Sequence, residues 1–204
     1  MKKKYGKQKN LRACMALLAL CSLGFGGVTP IAAMTETGTN INSDTTNKAK
    51  VDISYSRQTA IGDNAQTGTD DATALGSGAT TNGIRAAAIG YTANAAGEDS
   101  VAVGSGAKAS WARTTAIGYG TKTGASDATA VGSGASAGGE GSTAIGNNAY
   151  AALSAVSVGG KANGWFSVAV GLSAKTTDAS AIAIGYSSSA EASSSVALGA
   201  ASVA

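Results

Sequence analysis

From Gly62 onward a glycine recurs every fourteen residues, each time closing the same kind of five-residue block. Gln58-Thr59-Ala60-Ile61-Gly62, Ala72-Thr73-Ala74-Leu75-Gly76, Ala86-Ala87-Ala88-Ile89-Gly90 and Ser100-Val101-Ala102-Val103-Gly104 open the series. It runs on through Gly118, Gly132, Gly146, Gly159, Gly171, Gly185 and Gly199, with one step of 13 residues to Gly159 and one of 12 to Gly171. Self-similarity at a short fixed period belongs to stacked repeats, in which one unit cannot bury a face alone and its neighbours complete the core.

Each column of the repeat carries a physical constraint. The residue before the anchor glycine is always Ile, Val or Leu, and the residue two before it is Ala except at Ser157. Three before it stands Thr, Val, Ile or Ala. Alternate residues of an extended strand face opposite sides. The first and third of these columns therefore share one face, which reads as a β-branched stripe suited to a core. The Ala column faces the other way, where a row of methyls suits close approach to another layer or another subunit. The anchor glycine ends the strand in a conformation other residues reach poorly. Two residues on stand Asn64, Gly78, Gly106, Gly120, Gly134 or Asn148, types that tolerate a left-handed turn. A short second strand and a polar loop, such as Gly97-Glu98-Asp99, complete the unit.

A helix is excluded, because glycine falls in every repeat and the apolar positions alternate instead of recurring at helical spacing. No proline follows Pro30, as coils that need every N–H for a ladder require. The expected fold is all-β, a parallel β-solenoid of about eleven coils over residues 58–204, roughly 50 Å long at about 4.8 Å per coil. With 2 Trp and 2 Phe the core must be thin and built from small side chains.

The ends of the chain read differently. Lys2, Lys3, Lys4, Lys7, Lys9 and Arg12 precede an apolar stretch over 13–28, and Pro30-Ile31-Ala32-Ala33 supplies small residues. That order predicts a secretory signal peptide over 1–33, cleaved after Ala33, too short in its apolar run for a bilayer span. Residues 34–57 are expected to be a flexible polar segment with one possible strand over 51–55. Cys14 and Cys21 both lie in the leader, so the mature chain is expected to hold no disulfide and no Cys-based metal site.

The same bookkeeping excludes several functions. Beyond the leader 9 basic residues face 12 acidic ones, which leaves no basic footprint for nucleic acid. The chain has no His, so neither a Ser-His-Asp triad nor a His-ligated metal is expected. Asp70-Asp71 and Glu98-Asp99 read as solvated loop charge, and the repeats lack the nonapeptide signature of calcium β-rolls. Neither enzymatic activity nor a cofactor is expected. Tyr91, Tyr119 and Tyr186 directly follow an anchor, and Trp111, Trp165 and Phe166 fall between blocks. Rings on a small-residue surface are candidate ligand contacts, or else cover turns and chain–chain seams.

Ser-Val-Ala-Val-Gly at residues 100–104 and 167–171, Thr-Ala-Ile-Gly at 115–118 and 143–146, and Ser195-Val196-Ala197-Leu198-Gly199 resemble the head repeats of YadA-like trimeric autotransporter adhesins. The resemblance covers about seven-tenths of the chain. It implies a left-handed parallel β-roll, side-by-side association into a homotrimer, export through the inner membrane to the cell surface or beyond, and binding to host surfaces or extracellular-matrix proteins such as collagen. The family's coiled-coil stalk and β-barrel anchor have no counterpart expected in this chain. Two other readings compete with the adhesin: a structural spacer or coat solenoid, and an ice-binding solenoid. The last is weakened because the Thr column (Thr59, Thr73, Thr115, Thr129, Thr143) is interrupted by Ala87 and Val101.

Overall fold

A computed structural model of the chain describes Gly38–Ile41, Lys50–Val51 and residues 55–204. The leader expected over 1–33 lies outside these residues. Two parallel sheets run the length of a rod. The first has twelve strands, mostly of three residues, such as Thr115–Ile117; the second has eleven strands of two residues, such as Lys122–Thr123. Each coil but the last contributes one strand to each sheet, and successive coils pair in register. Thr115 stands opposite Thr129, Ala116 opposite Ala130 and Ile117 opposite Val131. Residues fourteen apart are thereby stacked, and every column of the repeat becomes a physical column along the rod. Gly38–Ile41 and Lys50–Val51 extend the two sheets by pairing with Gln58–Ile61 and Gln66–Thr67, so strands also stand within the polar segment 34–57.

The faces are the reverse of the expectation. The Ala column, Ala60 through Ala197, is inside the coil and essentially inaccessible. The Ile/Val/Leu column points outward, with Leu75, Ile117 and Ile184 each about 40% exposed (41%, 39% and 41%). The reason is room. A fourteen-residue coil with strands of three and two residues encloses a lumen that admits little beyond methyl and hydroxyl groups. Its largest fully buried side chains, among the described residues, are Gln58 followed by Thr and Ser. The Ala column does approach another layer closely, but that layer is the opposite wall of the same coil, where Ala95, Ala109 and Ala137 lie.

Most hydroxyls enter this interior where a backbone carbonyl or another side chain is at hand to accept, while Ser195 Oγ is buried without a partner among the described residues. Ser100 donates to the Gly97 carbonyl at 2.6 Å and Thr114 to that of Trp111 at 2.7 Å. Ser142 and Ser167 repeat the arrangement toward Gly139 and Gly164.

The anchor glycines have two reasons to be glycine. Gly76 has φ +132°, in a region closed to side chains, and a Cβ there would stand 2.5 Å from the Gly90 carbonyl oxygen. Gly104, over Gly118, repeats the same contact. Anchors such as these let two coils close to ladder distance at the turn, whereas a Cβ at Gly159 would meet nothing nearer than 3.6 Å and one at Gly199 nothing within 4 Å.

Candidate functional site

The outward side chains of the first sheet form two adjacent columns. One is Ile61, Leu75, Ile89, Val103, Ile117, Val131, Ile145, Val158, Val170, Ile184 and Leu198. The other begins with Thr59 and Thr73 and becomes aliphatic at Val156, Val168, Ile182 and Val196. A continuous half-exposed aliphatic strip along one side of a rod is the kind of surface that is normally covered by a partner.

The predicted aromatics do not converge. Tyr91, Tyr119 and Tyr186 line the turn that follows the first sheet and are 64%, 71% and 62% exposed. Trp111 and Trp165 stand on the other turn, which leads back to the first sheet, with Phe166 beside Trp165. Tyr91 and Tyr119 are two coils apart, about 10 Å. A shallow hollow of about 230 Å³ adjoins Trp165, bordered by Asn163, Thr177 and Asp178. The candidates thus form two separate edges.

The second turn carries a feature the motif reading passed over. Arg57, Asp71, Arg85, Asp99, Arg113 and Asp127 occupy one column, all in left-handed conformation with φ between 55° and 59°. Stacking alternates their signs. Arg57 bonds Asp71 through both carboxylate oxygens, Arg85 bonds Asp99 and also Glu98, and Arg113 bonds Asp127 at 2.6 and 2.8 Å. Hydrogen bonds from these guanidiniums, more than their charge, hold the Asp71, Asp99 and Asp127 carboxyls below the usual carboxylate range. Asp70 accepts from the Ser56 backbone N–H at 2.7 Å. The acidic pairs that read as loop charge are therefore clamps between successive coils. Aligning charges by repeat position, instead of by neighbour, would have revealed the column. No group of three or more Asp, Glu, His or Cys able to hold a metal occurs among the described residues.

The two irregular steps of the repeat also have locations: the 13-residue step loses one residue in the second turn, over 152–155, and the 12-residue step loses two in the first turn. Between Val156–Val158 and Lys161–Ala162 the first turn is cut to Gly159-Gly160, where other coils have four residues. The turns at Asn147-Asn148 and Leu172-Ser173 project past it and leave a notch of about 340 Å³. Ser157 replaces Ala in this coil, and its hydroxyl donates to the Gly160 carbonyl at 2.6 Å, which the shortened turn directs inward.

The model of the YadA head domain repeat matches residues 59–79, 82–107, 95–121, 109–135, 124–149, 162–188 and 179–202, well over half of the chain. The chain belongs to the YadA head-repeat family. The matched stretches leave out residues 150–161, around Gly159, where the regular period is broken. Among solved structures, the collagen-binding domain of the Yersinia adhesin YadA is similar at 24% identity, over 83% of this chain and 75% of that one, with a TM-score of 0.36. A search of the curated proteins returns no match.

Proposed function

We propose that this chain is the head of a surface adhesin, a binding module without catalysis that acts as a side-by-side homotrimer after export to the cell surface. The observation that carries the reading is the outward aliphatic strip of the first sheet. A rod whose interior holds little beyond methyls and hydroxyls buries little apolar area, so covering this strip supplies what the lone coil lacks. Three copies meeting along it leave the second sheet and both turns facing outward. The solved domain named above is collagen-binding, which makes collagen the first matrix protein to test.

Adhesion then rests on many weak contacts repeated over three chains, with avidity exceeding any single one. The test is the solution mass of the purified exported chain by light scattering, with circular dichroism on the same sample, followed by binding to immobilised collagen and to cultured cells. A β-rich particle of three chain masses that binds is expected. A β-rich monomer would remove the trimer, and a trimer that binds neither surface would leave the spacer reading in its place.

A further inference from the structure

The described charges of this rod are sorted by sign and by face. All three described arginines are engaged by aspartates at the second turn, in columns of alternating sign. Four of the described lysines follow the opposite rule. Lys108, Lys122, Lys161 and Lys175 stand in one outward column of the second sheet, all exposed, and none takes part in a salt bridge among the described residues. Register pairs Lys108 directly with Lys122, and Lys161 directly with Lys175. Like charges placed opposite one another on adjacent strands repel, at a Cα spacing of about 4.8 Å. The same molecule neutralises one charge column and leaves the other uncompensated.

Between the two lysine pairs the column continues with Ser136 and Tyr150, so no carboxylate interrupts it. From Lys108 to Lys175 it spans five coils, about 24 Å. Lys161 and Lys175 also border the notch left by the shortened Gly159-Gly160 turn, together with Asn147, Asn148 and Leu172. The break in the repeat therefore falls where the second lysine pair stands. The ammonium groups of Lys161 and Lys175 are the open donors at this concavity for an anionic oxygen group; the amides of Asn147 and Asn148, already donating to the Ser133 carbonyl and to Asn147 Oδ1, keep one N–H each.

We propose that this lysine column and its notch bind an extended anionic polysaccharide, one bearing sulfate or carboxylate groups. A single file of four cations suits a thin linear polyanion. A nucleic-acid duplex, whose charge is broad and dense, would call for a wide basic surface, whereas the described part of this chain carries more acidic than basic residues. Tyr150 offers a partly exposed ring between the pairs against which a sugar face can lie. The inference deepens the adhesin reading and rests on it, adding a second class of ligand on a face other than the trimer strip.

The experiment uses the intact exported chain in its native oligomeric state, immobilised and titrated with dextran sulfate (sulfate only), hyaluronate (carboxylate only) and duplex DNA. Binding to one or both polysaccharides is expected, weakening as salt rises from about 50 to 500 mM. The variant K108Q/K122Q/K161Q/K175Q should bind at least tenfold more weakly at unchanged mass and circular dichroism. The control R57Q/R85Q/R113Q should bind as the parent, because those guanidiniums are already engaged. Which polysaccharide binds identifies the anionic group. The proposal is overturned if the lysine variant binds as the parent or if duplex DNA binds as tightly as the polysaccharides. A parent that binds collagen or cells but neither polysaccharide overturns this inference alone; binding to none of them overturns the adhesin reading as well.

Discussion

Gly104 and Gly106 lie two residues apart in one turn, both at positive φ, yet replacement by alanine should affect them differently. Gly104 has φ +125°, and a Cβ there would stand 2.5 Å from the Gly118 carbonyl oxygen and 2.7 Å from its carbon. A side chain in so sparsely populated a backbone region costs about 1–3 kcal/mol. Relieving the contact also means parting two coils where the Gly118 N–H donates to the Val103 carbonyl at 2.7 Å, a bond with a net value of about 1 kcal/mol. Together these give about 3 kcal/mol for Gly104→Ala. Gly106 has φ +67° with nothing within 4 Å of its Cβ position. There alanine bears only the left-handed cost of about 1–2 kcal/mol. The stiffer unfolded chain returns about 0.4–1 kcal/mol to either variant, so that gain cancels between them. With a difference of about 1.5 kcal/mol, at about 2–4 °C per kcal/mol for a domain of this size, Gly104→Ala should melt about 3–6 °C below Gly106→Ala. Thermal circular dichroism on both variants, with mass checked by light scattering, measures the difference. Equal shifts, or a larger one for Gly106→Ala, would refute the stacked-glycine account.

Ala116→Leu should destabilise the rod by about 1–3 kcal/mol through overpacking in urea titrations, because Ala116 is wholly enclosed. Ile117→Ser should instead lower the oligomeric mass while the β spectrum persists; the opposite pattern would restore the aliphatic column to the core. The depressed carboxyls of Asp71, Asp99 and Asp127 stabilise the fold fully above their ordinary value of 3.8, and that contribution is lost as pH falls through their lower folded-state values. The melting temperature should therefore drop between about pH 4 and 2, and more steeply in the parent than in R57Q/R85Q/R113Q; identical profiles would show that the column adds nothing. If the ring-bearing turn contacts the matrix ligand, Y91A/Y119A should lose adhesion at unchanged mass, and full adhesion by that variant would move the contact elsewhere.

The repeat made much of this architecture legible before any coordinates. Glycines at a fixed spacing, strands read from Thr-Ala-Ile and Val-Ala-Val, and small turn residues at Asn64 and Gly78 all correspond to elements of the rod. The charge columns were present in the sequence too, as Arg57, Arg85 and Arg113 alternating with Asp71, Asp99 and Asp127 at the same repeat position. They become visible only once residues fourteen apart are treated as neighbours.

Alternation alone specified that Ala116 and Ile117 face opposite ways, without specifying which way is in. That choice belongs to the tertiary structure. A hydrophobicity rule places isoleucine inside, but a coil of two- and three-residue strands closes on a lumen filled almost entirely by methyls and hydroxyls. The larger aliphatics are therefore left outside, on a strip suited to a second chain. Likewise a step of 12 residues in place of 14 appears in the sequence as a lapse of rhythm. Only the folded coil shows the two missing residues to be a notch beside Lys161 and Lys175, because stacking keeps the neighbouring turns at full height while one is cut away.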